Sequence, residues 1–272
     1  MALTGTTWSG YHQSSGPAAE MGYALVAAQG EMYGFGSLGA EWEGPAIDPA
    51  DEVAGLAFTP RATGCWLASR EGSVVCRGDA PHIGSPKDLG AVMPVVALAS
   101  APDGLGYYVA VEDGGVYTFG SAGFFGSVSG SELNQPVVDM AMRRDGDGYW
   151  MLAADGGVFA FGSAPFCGAA TDLALTSPAV AIAGTPSGLG YWVATRGGDV
   201  LTFGDAVDFG CLADLGASAP VIGLRSSRHV LGYWMASEAG VVRAFGDTYF
   251  LGCVPPATPA PPFVAFGAAG AV

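Results

Sequence analysis

Short apolar runs, separated by turns rich in Gly, Asp and Pro, follow one another along almost the whole chain. Val95 to Ala99, Tyr107 to Val111 and Val116 to Phe119 are three such runs in sequence. Asp103-Gly104 and Gly106 turn the first into the second, and Asp113-Gly114-Gly115 closes a tight hairpin between the second and third. Apolar runs bounded by that turn chemistry predict antiparallel strands. Gly120-Ser121-Ala122-Gly123 turns again into Phe124 to Ser127, which is predicted as a fourth strand. The second run is apolar on both sides, with Tyr149 and Met151 alternating with Trp150 and Leu152 in the clearest copy. A sheet with one wet face would alternate apolar with polar residues, so these sheets are predicted to be buried on both faces. No segment reads as a helix.

The pattern returns at a fixed step. The Gly that opens the second strand recurs at Gly22, Gly64, Gly106, Gly148, Gly190 and Gly232, always 42 residues apart. The first-strand phrase keeps the same step from Pro94-Val95-Val96 through Pro136-Val137-Val138, Pro178-Ala179-Val180 and Pro220-Val221-Ile222 to Pro262-Phe263-Val264. Self-similarity at this period marks a propeller or solenoid, and four strands in about 42 residues make one propeller blade. The phrase first occurs at Glu52-Val53-Ala54, and the residues before Gly22 (Tyr11 to Ser15) are too polar for an inner strand. Phe263 to Phe266 is therefore expected to return to the blade of Gly22 and complete it, which removes the exposed sheet edges. The expected fold is all-β, a six-bladed β-propeller over 22–272 with four antiparallel strands per blade, blades starting near 22, 64, 106, 148, 190 and 232, and a closing strand at 263–266. An N-terminal arm, 1–21, precedes it, and the Pro-rich run from Val254 to Pro262 forms a stiff last connection. The hairpin glycines Gly30, Gly72, Gly114, Gly156, Gly198 and Gly240 are expected at positive φ.

Gly148-Tyr149-Trp150, followed by Ala154-Asp155-Gly156-Gly157-Val158-Phe159-Ala160-Phe161-Gly162, and Leu133-Asn134-Gln135-Pro136-Val137-Val138 resemble the actinobacterial GYW…DGGVFAFG repeat family. The resemblance covers Gly22 to Gly267. It implies propeller repeats of a kind often found in exported or envelope-associated proteins beside cell-wall hydrolase or peptidase modules. It implies no catalytic residues, because the family has no agreed set.

Composition narrows the functional classes. The chain has 272 residues, 50% hydrophobic and 13% charged, and the repeat spans nearly all of it, so one domain is expected. A net charge of −15 argues against a nucleic-acid partner, whose phosphates it would repel. Met1 to Trp8 lacks the basic and apolar regions of a signal peptide, and no apolar run approaches the ~18 residues of a membrane helix. A place in a virion or other assembly, or export after removal of an unseen leader, is the expectation. Five cysteines follow no disulfide framework, and Cys65 and Cys76, diagonal on adjacent strands, are the only pair worth weighing.

No enzyme, cofactor or metal site is expected. His12, His82 and His229 lie in different repeats without ligand spacing, and Asp145-Gly146-Asp147-Gly148 reads as a turn rather than a calcium loop. Trp66, Tyr108, Trp150, Trp192 and Trp234 share one repeat position (Ala24 in the first copy) and are read as packing between blades rather than as sugar platforms. The turns between strands two and three collect acids such as Glu31, Glu71, Asp113, Asp155 and Glu238, whereas the opposite turns carry Arg61, Arg143, Arg144, Arg228 and His229. Blade two departs furthest, with Cys65 for Tyr, Cys76 for Ala or Thr, and Arg77 for Phe, near His82. Arg77 is read as a contact residue rather than an internally paired one. Candidate interaction residues are Trp8, Tyr11, Arg77, His82, Arg143, Arg144, Arg228 and His229. The expected function is a structural or interaction propeller docked in a virion or envelope layer, meeting a protein partner or a second copy through the arm. A glycan-binding module on a bacterial surface is the alternative.

Overall fold

The structure is a computed structural model that describes residues 21–39, 42, 47–48, 50–216, 219–228, 230–255 and 262–269. The expectations placed on Trp8, Tyr11, His12 and His229, and on residues 256–261 of the Pro-rich connection, lie outside the described residues.

Six antiparallel sheets of three strands account for the described strands. Sheet 1 joins β1 (Gly22–Ala27) and β2 (Met32–Gly36) to the last strand of the chain, β18 (Phe263–Ala269). Sheet 2 is β3 (Val53–Phe58), β4 (Gly64–Ser69) and β5 (Val74–Gly78), and sheet 3 is β6 (Val95–Ser100), β7 (Gly106–Val111) and β8 (Val116–Gly120). Sheet 4 is β9 (Val137–Met142), β10 (Gly148–Ala153) and β11 (Val158–Gly162), and sheet 5 is β12 (Ala179–Gly184), β13 (Gly190–Thr195) and β14 (Val200–Gly204). Sheet 6 is β15 (Val221–Ser226), β16 (Gly232–Ser237) and β17 (Val242–Gly246). β18 pairs with β1 from Gly22 opposite Ala269 to Ala27 opposite Phe263, so the two ends of the repeat meet in one sheet. The inner strands β3, β6, β9, β12, β15 and β18 pack each beside the next in a closed cycle.

The middle strand of every sheet is buried at every residue, as its two-sided apolar pattern requires. Each of the six apolar clusters draws on two neighbouring sheets, so the core is divided among the junctions rather than gathered at the centre. The hairpin glycines turn at φ between 80° and 103°, and at Gly114 an added Cβ would also stand 2.1 Å from a methyl of Val128.

The fourth strand is corrected. Among the described residues, Phe124 to Ser127 and its equivalents carry no strand, and each sheet has three strands instead of four. The reason lies in a second recurring glycine. Gly84, Gly126, Gly168 and Gly252 stand at φ 124–134° and Gly210 at 96°, a backbone that leaves the ladder. The carbonyl of each accepts a hydrogen bond from a Tyr hydroxyl of the next sheet: Tyr107 to Gly84, Tyr149 to Gly126, Tyr191 to Gly168, Tyr233 to Gly210 and Tyr23 to Gly252. A Phe ring of that next sheet covers the place where a Cβ would be, 2.6 Å away between Phe161 and Gly126. The outer segment therefore clasps its neighbour instead of pairing within its own sheet. Burial raises the Tyr107, Tyr149 and Tyr191 phenols to about 12.

Candidate functional site: the central channel

The inner strands surround a channel. Each carries a bulge that leaves its second residue outside the pairing register, as between Leu152 opposite Asp139 and Ala153 opposite Val137. A bulge re-aims its extra side chain. The six bulged residues are Ala54, Val96, Val138, Val180, Ile222 and Val264, all half-buried, and they line a cavity of about 350 Å³ at one mouth. Glu52, Arg70, Glu112 and Arg196 border this mouth, and Arg196 pairs with Glu238 at 3.4 Å. Lys87 and Glu71, on the neighbouring loops, pair at 3.1 Å. The expected acidic face thus also holds basic residues, two of them paired across it.

Midway along the channel two residues break the repeat together. Asp139 stands where the other inner strands have Gly55, Ala97, Ala181, Gly223 and Ala265. Arg225 stands where they have Ala57, Ala99, Ala141, Ala183 and Gly267. Arg225 Nη1 donates to Asp139 Oδ2 at 3.0 Å, joining sheets 4 and 6 past sheet 5, and the N–H of Ile182 in sheet 5 donates to the same oxygen at 3.0 Å. Arg225 Nη1 also donates to the Leu224 carbonyl at 2.8 Å. Small residues elsewhere leave the room this long side chain needs. The pair was legible as two charged residues at small-residue positions, but only an alignment of the first strands with one another exposes it.

The second mouth is narrower, a cavity of about 70 Å³ lined by Leu56, Phe58, Leu98, Met140 and Met142 with Arg225 and Arg228. Arg144 and Arg228 occupy the turn position that three sibling blades fill with Pro60, Pro102 and Pro186. They come from sheets 4 and 6, the same two that supply Asp139 and Arg225. Burial lowers the Arg228 pKa, and the nearby charge of Arg144 lowers it further. Arg144 is exposed. Arg143, beside it, is engaged differently: it pairs with Asp145 at 3.1 Å and donates to Ser163 Oγ at 2.7 Å, and its stem packs over Gly188 of the next turn.

Arg77 and His82 lie elsewhere, in sheet 2 and in the segment after it. Arg77 is buried, and its reading as an exposed contact is corrected. The cause is a coordinated exchange at the junction of sheets 1 and 2. At the other five junctions an aromatic residue of one sheet (Trp66, Tyr108, Trp150, Trp192 or Trp234) stacks on a Tyr of the next at centroid distances of 5.3–5.8 Å. Here Ala24 and Cys65 take those two places, and Trp42 takes the place of the clasp glycine. The Trp42 ring packs edge-on against Phe58 at 5.5 Å and its Nε1 donates to the Leu38 carbonyl at 2.8 Å. A Phe could not cover a tryptophan as it covers a glycine. Arg77 replaces it and donates from Nη1 to the Trp42 carbonyl at 3.3 Å, where a Tyr hydroxyl would otherwise serve. Burial pushes the Cys65 thiol up to about 12.

Cys65 and Cys76 are both free. Cys65 belongs to the cluster toward sheet 1 and Cys76 packs against the cluster toward sheet 3, so they occupy opposite faces of their sheet. His82 is exposed, with Nδ1 3.8 Å from the Cys76 sulfur. Trp66, Trp150, Trp192 and Trp234 are buried and donate from Nε1 to backbone carbonyls at 2.8 Å, which agrees with packing between blades. Among the described residues no group of three His, Cys, Asp or Glu is placed to hold a metal ion, and no helix is long and apolar enough to cross a membrane.

No protein-family model and no curated protein matches the chain. Solved structures do match. Sqt1 of Chaetomium thermophilum, in a crystal structure bound to the N-terminus of the ribosomal protein L10, aligns with a TM-score of 0.54 at 16% identity, over 90% of this chain and 73% of that one. Together with the six sheets in a closed cycle, this likeness defines a propeller-like repeat fold.

Proposed function

We propose that the chain is a non-enzymatic interaction module, a rigid ring that presents one mouth of its channel to a protein partner. The observation that carries this reading is where the charged departures from the repeat fall. Arg144, which is exposed, and Arg228 stand in equivalent turns where three sibling blades place proline, on one face of a chain whose net charge is −15. Sqt1, a protein of similar fold, is seen holding the N-terminus of another protein. The repeat resemblance suggests an envelope layer as the setting, the virion of an actinobacterial phage is the other assembly proposed, and the N-terminal arm with its Trp8 and Tyr11 is proposed as an anchor to a neighbour or a second copy. Charge alone would steer such docking rather than hold it, because exposed pairs are worth only about 0.2–1 kcal/mol each.

The native mass of the purified chain, with and without residues 1–15, tests the assembly part. Loss of oligomers or of incorporation at an unchanged melting temperature is the expected result. Intact assembly without the arm would contradict it.

One observation favours a glycan-binding module as the second reading. Phe124 and Phe166 are exposed at equivalent positions of adjacent blades, and Phe250 at the same position of sheet 6. Exposed rings of this kind suit stacking on sugars. Co-sedimentation with isolated cell walls, lost in a Phe124→Ala, Phe166→Ala variant, would favour that reading over the first.

A further inference from the structure

The wider mouth of the channel opens into a cavity whose wall is apolar and whose floor is polar. The six half-buried aliphatic side chains of the bulges form a collar, and the cavity of about 350 Å³ that they line reaches down to Asp139 and Arg225. As charges these two answer one another. As hydrogen-bonding groups they are incomplete. Arg225 spends Nη1 on Asp139 and on the Leu224 carbonyl, and Asp139 spends Oδ2 on Arg225 and on the Ile182 N–H. Among the described residues nothing bonds to Arg225 Nε, Arg225 Nη2 or Asp139 Oδ1, and none of these atoms is sealed from solvent. Arg225 keeps 21% of its side chain exposed and Asp139 6%. Nε and Nη2 share one edge of the guanidinium plane and present two parallel N–H groups, the fork that matches a carboxylate. Asp139 Oδ1, beside the same cavity, can accept from an ammonium group.

We propose that this pocket binds a free α-amino acid with an aliphatic side chain, a role separate from the docking of the ring. Arg225 Nε and Nη2 take the carboxylate, Asp139 Oδ1 accepts from the ammonium group, and the side chain lies against the collar. Charge balance selects a ligand that is neutral overall. The cavity is lined by three acids, Glu52, Glu112 and Asp139, against three arginines, Arg70, Arg196 and Arg225. A phosphate or a dicarboxylate would bring an unanswered negative charge beside Asp139, and a simple amine would leave the guanidinium edge empty. A peptide end carries only one of the two charges, so the free amino acid is the better match. A sugar finds no platform, because the one ring in that lining, Phe266, is buried. The volume is at the small end of ligand pockets, which suits a single small molecule.

Isothermal titration calorimetry of the full chain tests this, with L-valine, L-leucine, L-isoleucine and L-methionine beside N-acetyl-L-leucine, L-leucinamide and L-aspartate. At least one of the four aliphatic amino acids should bind with a Kd below about 1 mM. The two blocked derivatives, each lacking one charge, and aspartate should bind at least about tenfold more weakly. Asp139→Ala with Arg225→Ala, which returns both places to the small residues of the sibling strands, should abolish the binding while the circular dichroism spectrum stays that of the parent. Val96→Phe with Val180→Phe narrows the collar above an intact ion pair and should weaken binding about tenfold, which keeps the test decisive if the channel variant fails to fold. No binding of any of the four up to about 10 mM, equal binding of the blocked derivatives, or undiminished binding by a folded variant of either kind would each overturn the proposal.

Discussion

The junction of sheets 1 and 2 and the narrow mouth of the channel both break the 42-residue rule, but they break it in different ways. At the junction the departures are reciprocal. Trp42 brings a ring where Ala24 and Cys65 have given two up, and Arg77 reaches the Trp42 carbonyl where a Tyr hydroxyl and a Phe ring would otherwise act. Asp139 and Arg225 are reciprocal in the same sense, each meeting the other in the channel. At the mouth, Arg144 and Arg228 stand where three sibling turns have proline, and Arg144 remains exposed. A departure that is answered inside the fold reads as structure. An exposed one at a turn is open to a partner.

The largest expected effect sets the scale for the comparison. Deleting residues 262–272 removes β18 and leaves β1 without its inner partner, so the cooperative melting transition should be lost by circular dichroism and calorimetry. A truncated chain that melts like the parent would show that closure contributes little. Next comes the answered pair in the channel. Asp139→Ala or Arg225→Ala alone leaves a largely buried charge, at a cost of about 3–5 kcal/mol. The double variant, which restores the small residues of the sibling strands, should cost clearly less than the sum by denaturant unfolding. Additive losses would mean that the two side chains act separately.

Arg77→Phe should destabilise by about 1–3 kcal/mol, because the ring cannot lie where Trp42 stands. Adding Ala24→Trp, Trp42→Gly and Cys65→Tyr, which rebuilds the sibling junction, should recover most of that loss. No recovery would mean that the four positions are not one unit. A smaller effect, at alkaline pH, separates the five clasped junctions from the sixth. Folding raises the Tyr107, Tyr149 and Tyr191 phenols from an ordinary 10.0 to about 12, so their contribution is intact below pH 10 and is lost as pH climbs toward 12. Phenolate absorbance at 295 nm should therefore rise together with unfolding. Titration of Tyr107, Tyr149 or Tyr191 near pH 10 in a protein still folded, read as the absorbance lost in the matching Tyr→Phe variant, would contradict buried clasps.

Much of the ring was legible in the chain. Period, hairpin turns and matched phrase counts foretold the sheets and their closure, because every blade meets its neighbour in the same way and must repeat the same residues. The fourth strand misled because Phe124 to Ser127 has strand composition, whereas Gly126 bends the backbone away to reach Tyr149. Arg77 misled for a related reason. Its burial depends on Trp42, which stands out only when Gly84, Gly126, Gly168, Gly210 and Gly252 are lined up with it. Of the candidate residues, Arg144 and Arg228 stand in equivalent turns of sheets 4 and 6, Arg143 beside Arg144 is paired with Asp145, and His82 lies apart with Cys76. The contact between sheets 4 and 6 that joins Asp139 to Arg225 is 86 residues long in sequence, a distance at which no local pattern announces a partner.

The central claim is that Arg144, the exposed arginine of the turn in sheet 4, serves a partner and not the ring. The unfolding free energy of the Arg144→Gln variant tests it most directly. Removal of an exposed charge from a turn where sibling blades place prolines should leave the stability within about 0.5 kcal/mol of the parent. A loss above about 1.5 kcal/mol would show that this arginine holds the ring together, and would contradict the account.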